Sequence, residues 1–246
     1  MPVLDPTMES KSLKGSHYGF SAAKISELGA SEYTLVTIIA DVSGSVNAFR
    51  QDIEDCIKEV IRSCRRSPRA DNLMLRFVLF DTQLKEVHGF RPLSQCDVDS
   101  YNGSIKIGGM TALYDAACNA VDAGTAYAKD LTDQDFEVNA IVFVITDGAD
   151  NASTYTMKSV KESLGRAVTS ESLESLVSIL VGVNVSDPSI VQYLSDFSQT
   201  AEFTQYVEIA KADEKTLARL ADFISKSVSS QSQALGTGGA SQSLSF

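Results

Sequence analysis

Histidine is scarce in this sequence, because only His17 and His88 occur among its 246 residues. A catalytic triad that depends on histidine is therefore poorly supported. The sequence also lacks a G-x-x-x-x-G-K-S/T phosphate loop and a G-x-S-x-G nucleophile elbow. These absences leave the sequence without the commonest signatures of nucleotide-binding enzymes and of hydrolases.

Basic residues are outnumbered by acidic ones, 21 to 32, which gives a formal net charge of −11 at pH 7. This excess of negative charge repels phosphate backbones, so we expect no nucleic-acid binding. The longest apolar runs, at 37–40 and 140–145, are far shorter than the roughly 20 residues of a membrane-spanning helix. The opening segment MPVLDPTMES shows no basic stretch followed by an apolar one. We therefore expect a cytoplasmic protein that contacts no membrane.

Cysteine is also sparse, and its four residues form no C-x-x-C pair. A chain of this length, with 43% hydrophobic residues, buries a full core without covalent cross-links. We expect the cysteines to be reduced thiols that pack as small hydrophobic side chains. They are Cys56, Cys64, Cys96 and Cys118.

From about Glu32 the sequence alternates between strand and helix patterns. The segment YTLVTIIAD is a nearly continuous apolar run rich in β-branched residues, as expected of a strand covered on both faces. Apolar residues at helical spacing follow it, and the alternation continues to a last helix that ends near Val228. The segment LKEVHGF is predicted to pair antiparallel with the strand NLMLRFVLFD. This order predicts an α/β fold: a single doubly wound, Rossmann-like and mostly parallel sheet, with one antiparallel edge strand and helices on both faces.

Two terminal stretches fall outside this alternation. Residues 1–30 carry mixed polar and apolar signals and form an N-terminal extension of uncertain structure, whereas residues 31–229 form one domain. Residues 230–246 are rich in Ser, Gln and Gly and offer little to bury, so this tail is predicted to be disordered. A second hypothesis for the tail is a short motif in which Phe246 anchors in a partner's pocket.

Oxygen-bearing side chains lie in three loops next to the predicted strands. They are Asp41, Ser43 and Ser45 after the first core strand, Thr111 in a glycine loop before a helix, and Asp147 after the next core strand. Doubly wound sheets place their sites at the carboxyl ends of the strands, so we expect these residues to lie at one edge. Carboxylates and hydroxyls suit a hard cation such as Mg²⁺ or Mn²⁺. Taken alone, each residue is better explained as a helix cap or a turn residue, so the predicted metal site depends on their combination.

The same three segments, DVSGS, GGMTALYD and TDG, resemble the metal-ion-dependent adhesion site of von Willebrand factor A domains. The resemblance covers roughly residues 32–228. It implies a Mg²⁺ ion held partly by water, with Ser43, Ser45 and Thr111 near the ion. Asp41 and Asp147 would contribute directly or through water, and one coordination position would accept an Asp or Glu of a partner protein. Met110 stands before Thr111 where GGT is common in the family, a departure that bears on the reach of Thr111.

The resemblance therefore implies recognition, and we expect that the protein is not an enzyme. Its format is similar to that of bacterial intracellular TerY-like and MoxR-associated proteins, which implies an adaptor in a signalling, stress or conflict system. The implied partners are a protein kinase or phosphatase, or a MoxR-type AAA+ ATPase. One alternative is a metal-dependent phosphohydrolase, although dehalogenase-like phosphatases need a second aspartate where this chain has Ser43. Another is a phosphorylated scaffold or substrate of a kinase and phosphatase pair.

Overall fold

The computed structural model describes residues 7–13, 16–240 and 244–246. Within this part of the chain, the strands are β1 (Met8–Ser12), β2 (Gly19–Ala23), β3 (Glu32–Asp41), β4 (Leu73–Phe80), β5 (Leu84–Pro92), β6 (Glu137–Thr146), β7 (Leu176–Val183) and β8 (Gln205–Ile209). The α-helices are α1 (Arg50–Arg65), α2 (Leu113–Thr132), α3 (Met157–Val168), α4 (Pro188–Ala201) and α5 (Glu214–Thr237).

The strands form one sheet in the order β1-β2-β5-β4-β3-β6-β7-β8. Strands β4, β3, β6, β7 and β8 are mutually parallel, and β5 runs antiparallel to β4. The predicted α/β fold with a mostly parallel sheet is confirmed, and so is the antiparallel pairing of LKEVHGF. The predicted position of that strand at the sheet edge is corrected, because β2 and β1 lie outside it.

Strand β3 is buried on both faces, which explains its unbroken apolar sequence. Leu35 and Ile39 point into the apolar core beneath α2, α3 and α4. Val36 and Ile38 point to the opposite face and pack in the core that contains α1 and α5. The alternation follows from the period of two in a strand. All four cysteines are buried and free, as predicted.

The N-terminal residues, left unassigned by the sequence, add a β-hairpin to the sheet. Strands β1 and β2 pair antiparallel, and β2 joins β5 through one registered pair, Ala22 with Phe90. Because this ladder is so short, side chains supply further attachment. The hydroxyl of Tyr127 donates a hydrogen bond of 2.9 Å to the Ala23 carbonyl, and Lys11 forms an ion pair of 2.6 Å with Asp130. Residues 1–6, 14 and 15 of the predicted extension lie outside the described residues.

An ion pair between the buried Arg76 and the half-buried Glu86 fixes this hairpin to the sheet. Oε1 of Glu86 accepts hydrogen bonds from the N–H and the hydroxyl of Ser21, at 2.9 and 2.6 Å. Its Oε2 accepts one of 2.7 Å from Nε of Arg76, whose side chain is buried. At Gly89 an added Cβ would lie 1.9 Å from the Ser21 carbonyl oxygen. The two backbones therefore approach so closely that only glycine fits between them.

The last helix continues past the predicted domain boundary, which corrects the prediction that the chain from residue 230 onward lies outside the fold. Helix α5 ends at Thr237, and Gln231 and Ser232 are buried. Nε2 of Gln231 donates a hydrogen bond of 2.8 Å to the hydroxyl of Ser175. Nε of Arg69 donates a hydrogen bond of 3.0 Å to the hydroxyl of Ser232. These polar side chains are buried because each finds a polar partner. Residues 241–243 of the predicted tail lie outside the described residues.

Candidate metal centre

The three predicted loops meet at the carboxyl ends of β3 and β6. These strands are parallel, with Ala40 paired to Ile145, so Asp41 and Asp147 leave the sheet at the same edge. The loop before α2 reaches this edge as well: the N–H of Gly108 donates a hydrogen bond of 3.0 Å to the carbonyl of Val42. The topology of the sheet therefore brings residues that are far apart in sequence to one place, as the sequence predicted.

Four of the five predicted site residues form a hydrogen-bonded chain. Oδ1 of Asp41 accepts from the N–H of Ser43 at 2.8 Å, and the hydroxyls of Ser43 and Ser45 are 3.3 Å apart. The hydroxyl of Ser45 then donates a bond of 2.9 Å to Oδ1 of Asp147. Two carboxylates and two hydroxyls thus lie within a few ångströms of one another.

Thr146 supports this group and was missed by the sequence analysis. Its hydroxyl donates a hydrogen bond of 2.7 Å to Oδ2 of Asp41 and accepts one of 3.2 Å from the N–H of Gly148. Both oxygens of Asp41 therefore accept hydrogen bonds in a buried environment. Burial raises the pKa of Asp41 to about 6, although its bonds to Thr146 and Ser43 act in the opposite direction.

The backbone fixes the fifth predicted residue, Thr111, at the site. Its N–H donates a hydrogen bond of 2.7 Å to Oδ1 of Asn151. Its carbonyl accepts two hydrogen bonds, one of 2.9 Å from the N–H of Asn151 and one of 3.2 Å from the N–H of Ala152. Within the described residues, its hydroxyl makes no hydrogen bond to the other four predicted ligands. The structure thus places Thr111 in the loop cluster through the segment that follows Asp147.

The glycine loop before Thr111 has a conformation that depends on Gly109. This residue has a φ of 69°, and an added Cβ would lie 2.6 Å from the hydroxyl oxygen of Thr82. The N–H of Met110 donates a hydrogen bond of 2.9 Å to that same hydroxyl. The N–H of Ala112 donates a hydrogen bond of 2.8 Å to the carbonyl of Asp81. The loop is therefore held against the end of β4 on both sides of Met110.

The segment after Asp147 is also joined to the first turn of α2. The hydroxyl of Ser153 accepts hydrogen bonds of 3.0 Å from the N–H groups of Tyr114 and Asp115, and donates one to Asp150. Oδ1 of Asp115 accepts in return from the N–H of Thr154 at 2.9 Å. Asp150 therefore supports the start of the helix.

The chemistry of these side chains fits a hard divalent cation. Carboxylate and hydroxyl oxygens are the ligands that Mg²⁺ and Mn²⁺ prefer. Burial raises the pKa of Asp147 as well as that of Asp41, and Asp147 adds to the shift at Asp41 through its charge. A bound cation would offset this unfavourable pairing of two desolvated acids. No group of three or more His, Cys, Asp or Glu side chains with metal-binding geometry occurs in the described residues, so hydroxyls and water would have to complete the shell.

Comparisons with known proteins identify the fold. No protein-family model matches the chain, and no curated protein does. Among the similar solved structures are the PilB minor pilin from Streptococcus sanguinis, the proximal thread matrix protein 1 of the mussel byssus with a zinc-occupied MIDAS motif, and the ArnB paralog VWA2 from Sulfolobus acidocaldarius. Their sequence identities to this chain are 14, 17 and 13%, with TM-scores of 0.60, 0.55 and 0.52. The matches cover 86, 82 and 80% of this chain but 64, 47 and 45% of those chains, so it spans about half to two thirds of their lengths.

These likenesses show that the chain has the von Willebrand factor A fold, which confirms the fold implied by the sequence resemblance. At such low identities they show the fold alone, and the five ligands and the identity of the ion stay predictions. Across the residues that the structure describes, none of the helices has both the length and the apolar character needed to cross a membrane.

Proposed function

We propose that this protein is a divalent-metal-dependent interaction module that binds an acidic side chain of a partner protein. The observation that carries the proposal is the hydrogen-bonded group of Asp41, Ser43, Ser45 and Asp147, to which the loop of Thr111 is joined. Mg²⁺ or Mn²⁺ held there would supply a positive centre that attracts a carboxylate. Such a centre is needed because the chain itself carries a net charge of −11.

The burial of the site residues indicates the direction from which a partner approaches. Asp41, Ser43 and Thr111 are buried, whereas Ser45 is exposed and Asp147 is half-buried. The buried residues would therefore contact the ion on the side that faces the protein interior. The open coordination position of the ion would face solvent beside Ser45. Thr146 orients Asp41, and Ser45 orients Asp147, so the two carboxylates are positioned before the ion binds.

Recognition is favoured over catalysis by the side chains at this edge. Position 43, where a dehalogenase-like phosphatase needs its second aspartate, is a serine. His88 is buried away from the loops, with its ring bonded to Gly89 and Tyr101. We therefore propose a binding role, and expect no Mg²⁺-dependent hydrolysis of p-nitrophenyl phosphate above the rate of a matched Asp41→Asn variant. Turnover that the variant abolishes would favour the phosphohydrolase instead.

The finer assignment, an adaptor in bacterial intracellular signalling or stress response, remains a proposal from the sequence resemblance. Four buried free thiols support a reducing compartment such as the cytoplasm. The proposed partners are a kinase or phosphatase, or a MoxR-type AAA+ ATPase, each of which would present an exposed Asp or Glu.

A peptide selection tests the proposed function without knowledge of the partner. Random displayed peptides are captured on the immobilised protein in MgCl₂ and eluted with EDTA. We expect the eluted peptides to share one Asp or Glu, and replacement of that acid by Asn or Gln to abolish capture. Absence of any EDTA-eluted acidic peptide would overturn the proposal.

A further inference from the structure

A cavity of about 280 Å³ lies at the edge of the sheet opposite the candidate metal centre. It is formed by the first residues of β6, the segment before β7 and the end of α5, and the residues that line it include Glu137, Asn139, Glu174, Ser175, Ala234 and Leu235. Glu137 begins β6, whereas Asp147 follows the end of that strand, so about 30 Å of extended chain separates the two places. The cavity is therefore distinct from the candidate metal centre.

Asn139 contributes a buried acceptor to this cavity. The residue is fully buried, and its Nδ2 donates a hydrogen bond of 2.8 Å to the carbonyl of Gln231. Because a carbonyl can only accept, the amide nitrogen must face Gln231, and this fixes the orientation of the Asn139 amide. Among the described residues, Oδ1 of Asn139 has no hydrogen-bond partner. An unsatisfied buried acceptor is costly, so this oxygen is available to a donor that enters the cavity.

Gln231, the neighbour of Asn139 on α5, has the same arrangement. Its Nε2 donates hydrogen bonds of 3.4 Å to the carbonyl of Ala140 and 2.8 Å to the hydroxyl of Ser175. Its Oε1 is buried and has no partner within the described part of the chain. Two adjacent buried amides thus direct their nitrogen atoms to protein acceptors and leave their oxygens unpaired. This chemistry favours a ligand that carries N–H donors.

The charged side chains that line the cavity are both acidic. Glu137 and Glu174 are exposed, and neither forms an ion pair with another described residue. Arg69 approaches α5 at Gly236, but its guanidinium is paired with Glu32. The end of α5 adds the negative end of the helix dipole. The cavity therefore repels anions and attracts a cation.

The size and the walls of the cavity favour an organic cation over a metal ion. Two exposed carboxylates and one amide oxygen supply fewer ligands than the roughly six to eight oxygens that Ca²⁺ takes. The volume is close to the lower end of ligand pockets, about 300 Å³, and exceeds what one ion would fill. Ala234 and Leu235 add apolar surface that a bare ion would not use. A small cation with a hydrocarbon chain matches both parts of the lining.

We infer that this cavity binds a primary alkylammonium group, supplied either by a free diamine or by a lysine side chain of a partner. The ammonium group has three N–H donors, which would bond to Oδ1 of Asn139 and to the carboxylates of Glu137 and Glu174. Its methylene groups would lie along Ala234 and Leu235. The site is additional to the proposed metal centre and does not depend on it.

Calorimetry with 1,5-diaminopentane tests the inference on the full chain, in MgCl₂ and at physiological ionic strength. We expect the wild type to bind with a Kd below about 1 mM, and not to bind 1,5-pentanediol, which has the same chain without ammonium groups. The double variant Glu137→Gln/Glu174→Gln should bind the diamine at least about tenfold more weakly, and both positions are exposed, so the fold should be retained. Asn139→Ala should weaken binding by a similar factor, because it removes the buried acceptor. Glu171→Gln is the matched control, since Glu171 is exposed in the same connection before β7 but does not line the cavity.

Nα-acetyl-lysine methylamide distinguishes the two sources of the ligand. Binding at least as tight as that of the diamine would indicate a lysine of a partner, and weaker binding would indicate a free diamine. Binding of neither compound, equal weakening by Glu171→Gln, or displacement of the diamine by CaCl₂ at lower concentration would overturn the inference. Loss of diamine binding in Asp41→Asn would assign the ligand to the metal centre and would also overturn it. Failure of the peptide selection would overturn the proposed function alone.

Discussion

The hydroxyl of Thr146 donates a hydrogen bond of 2.7 Å to Oδ2 of Asp41, although 105 residues separate them in the sequence. The two residues end adjacent parallel strands, so the sheet itself sets their distance. The other carboxylate oxygen of Asp41, Oδ1, accepts a hydrogen bond from the N–H of Ser43. The two bonds together fix the plane of the carboxylate. Thr146 therefore positions a predicted ligand without being one.

Replacement of Thr146 by valine should weaken metal binding while leaving the shape of the side chain nearly unchanged. Loss of the hydroxyl removes a donor to Asp41, so we expect a decrease in Mg²⁺ affinity of about 10- to 100-fold. Calorimetry at pH 7.5 measures the change. Thr146→Ser keeps the hydroxyl and serves as the control, with expected affinity close to that of the wild type. Equal affinities for valine and serine would show that the bond plays no part in metal binding.

Asp41→Asn should abolish detectable Mg²⁺ binding without loss of metal-free stability. Burial raises the pKa of Asp41 to about 6, so the ionised carboxylate is less stable in the metal-free protein than it is in water. In EDTA the variant should therefore unfold at a temperature no lower than the wild type. A Mg²⁺ concentration of 100 times Kd should stabilise only the wild type, by about 2.7 kcal/mol.

Thermal unfolding with and without MgCl₂ provides this comparison. Asp133→Asn is the control, because Asp133 forms an exposed ion pair with Lys129 at the end of α2 and should leave the Mg²⁺ effect intact. A wild-type protein whose unfolding temperature does not respond to Mg²⁺ or Mn²⁺ would count against the metal site.

Gly89→Ala should displace the N-terminal hairpin. The new Cβ would lie 1.9 Å from the Ser21 carbonyl oxygen, a distance that forces the backbones apart. We expect a destabilisation of about 2 to 4 kcal/mol and faster amide exchange in β1 and β2. Gly165→Ala in α3 is the matched control, since nothing lies within 4 Å of its added Cβ, and it should stabilise by up to about 1 kcal/mol. Unchanged exchange in β2 of Gly89→Ala would refute the close approach.

His88 should make stability fall under mildly acidic conditions. Burial, with Arg91 and Arg76 nearby, lowers the pKa of His88 from 6.5 to about 3 in the folded protein. Between these values the unfolded state binds the extra proton, so the free energy of unfolding decreases as pH falls below 6.5. From pH 7 to pH 5 the expected contribution of His88 is a loss of about 2 kcal/mol.

Urea unfolding of the wild type and His88→Gln at both pH values isolates this contribution. Other groups titrate in the same interval, and the raised pKa of Asp41 acts in the opposite sense, so the test is the difference between the two proteins. From pH 7 to pH 5, the free energy of unfolding of His88→Gln should decrease by about 2 kcal/mol less than that of the wild type. His17→Gln serves as the control, because His17 is exposed. Identical pH dependence in wild type and His88→Gln would contradict the prediction.

The sheet and the location of the candidate site were predictable from the sequence. Two apolar runs, YTLVTIIAD and NAIVFVITD, each end in an aspartate, and parallel strands bring such ends to one edge. The role of Thr146 was not predictable in the same way. Aligning the two runs by their terminal aspartates would place Asp147 beside Asp41, whereas the structure pairs Ala40 with Ile145 and so makes Thr146 the neighbour of Asp41. The register between the strands, which the sequence does not reveal, determines this contact.

The chain ends were predicted poorly because their burial depends on polar partners. A sequence pattern treats Arg76, Glu86 and Gln231 as surface residues, yet Arg76 and Gln231 are buried and Glu86 bonds to Ser21. Such burial becomes favourable only when a matching donor or acceptor arrives from a distant segment. Composition alone contains no information about which segment that is.

The side-chain attachments of the hairpin also set an order of folding. A two-stranded hairpin is marginally stable by itself, and β2 gains its partner Glu86 only 65 residues later in the chain. The contact of Ala23 with Tyr127 spans 104 residues and requires α2 in place. We therefore expect strands β1 and β2, which precede the rest of the sheet in the sequence, to become ordered after β4, β5 and α2 have assembled. Protection of the Ser21 amide during refolding would then report the completion of the sheet rather than its nucleation.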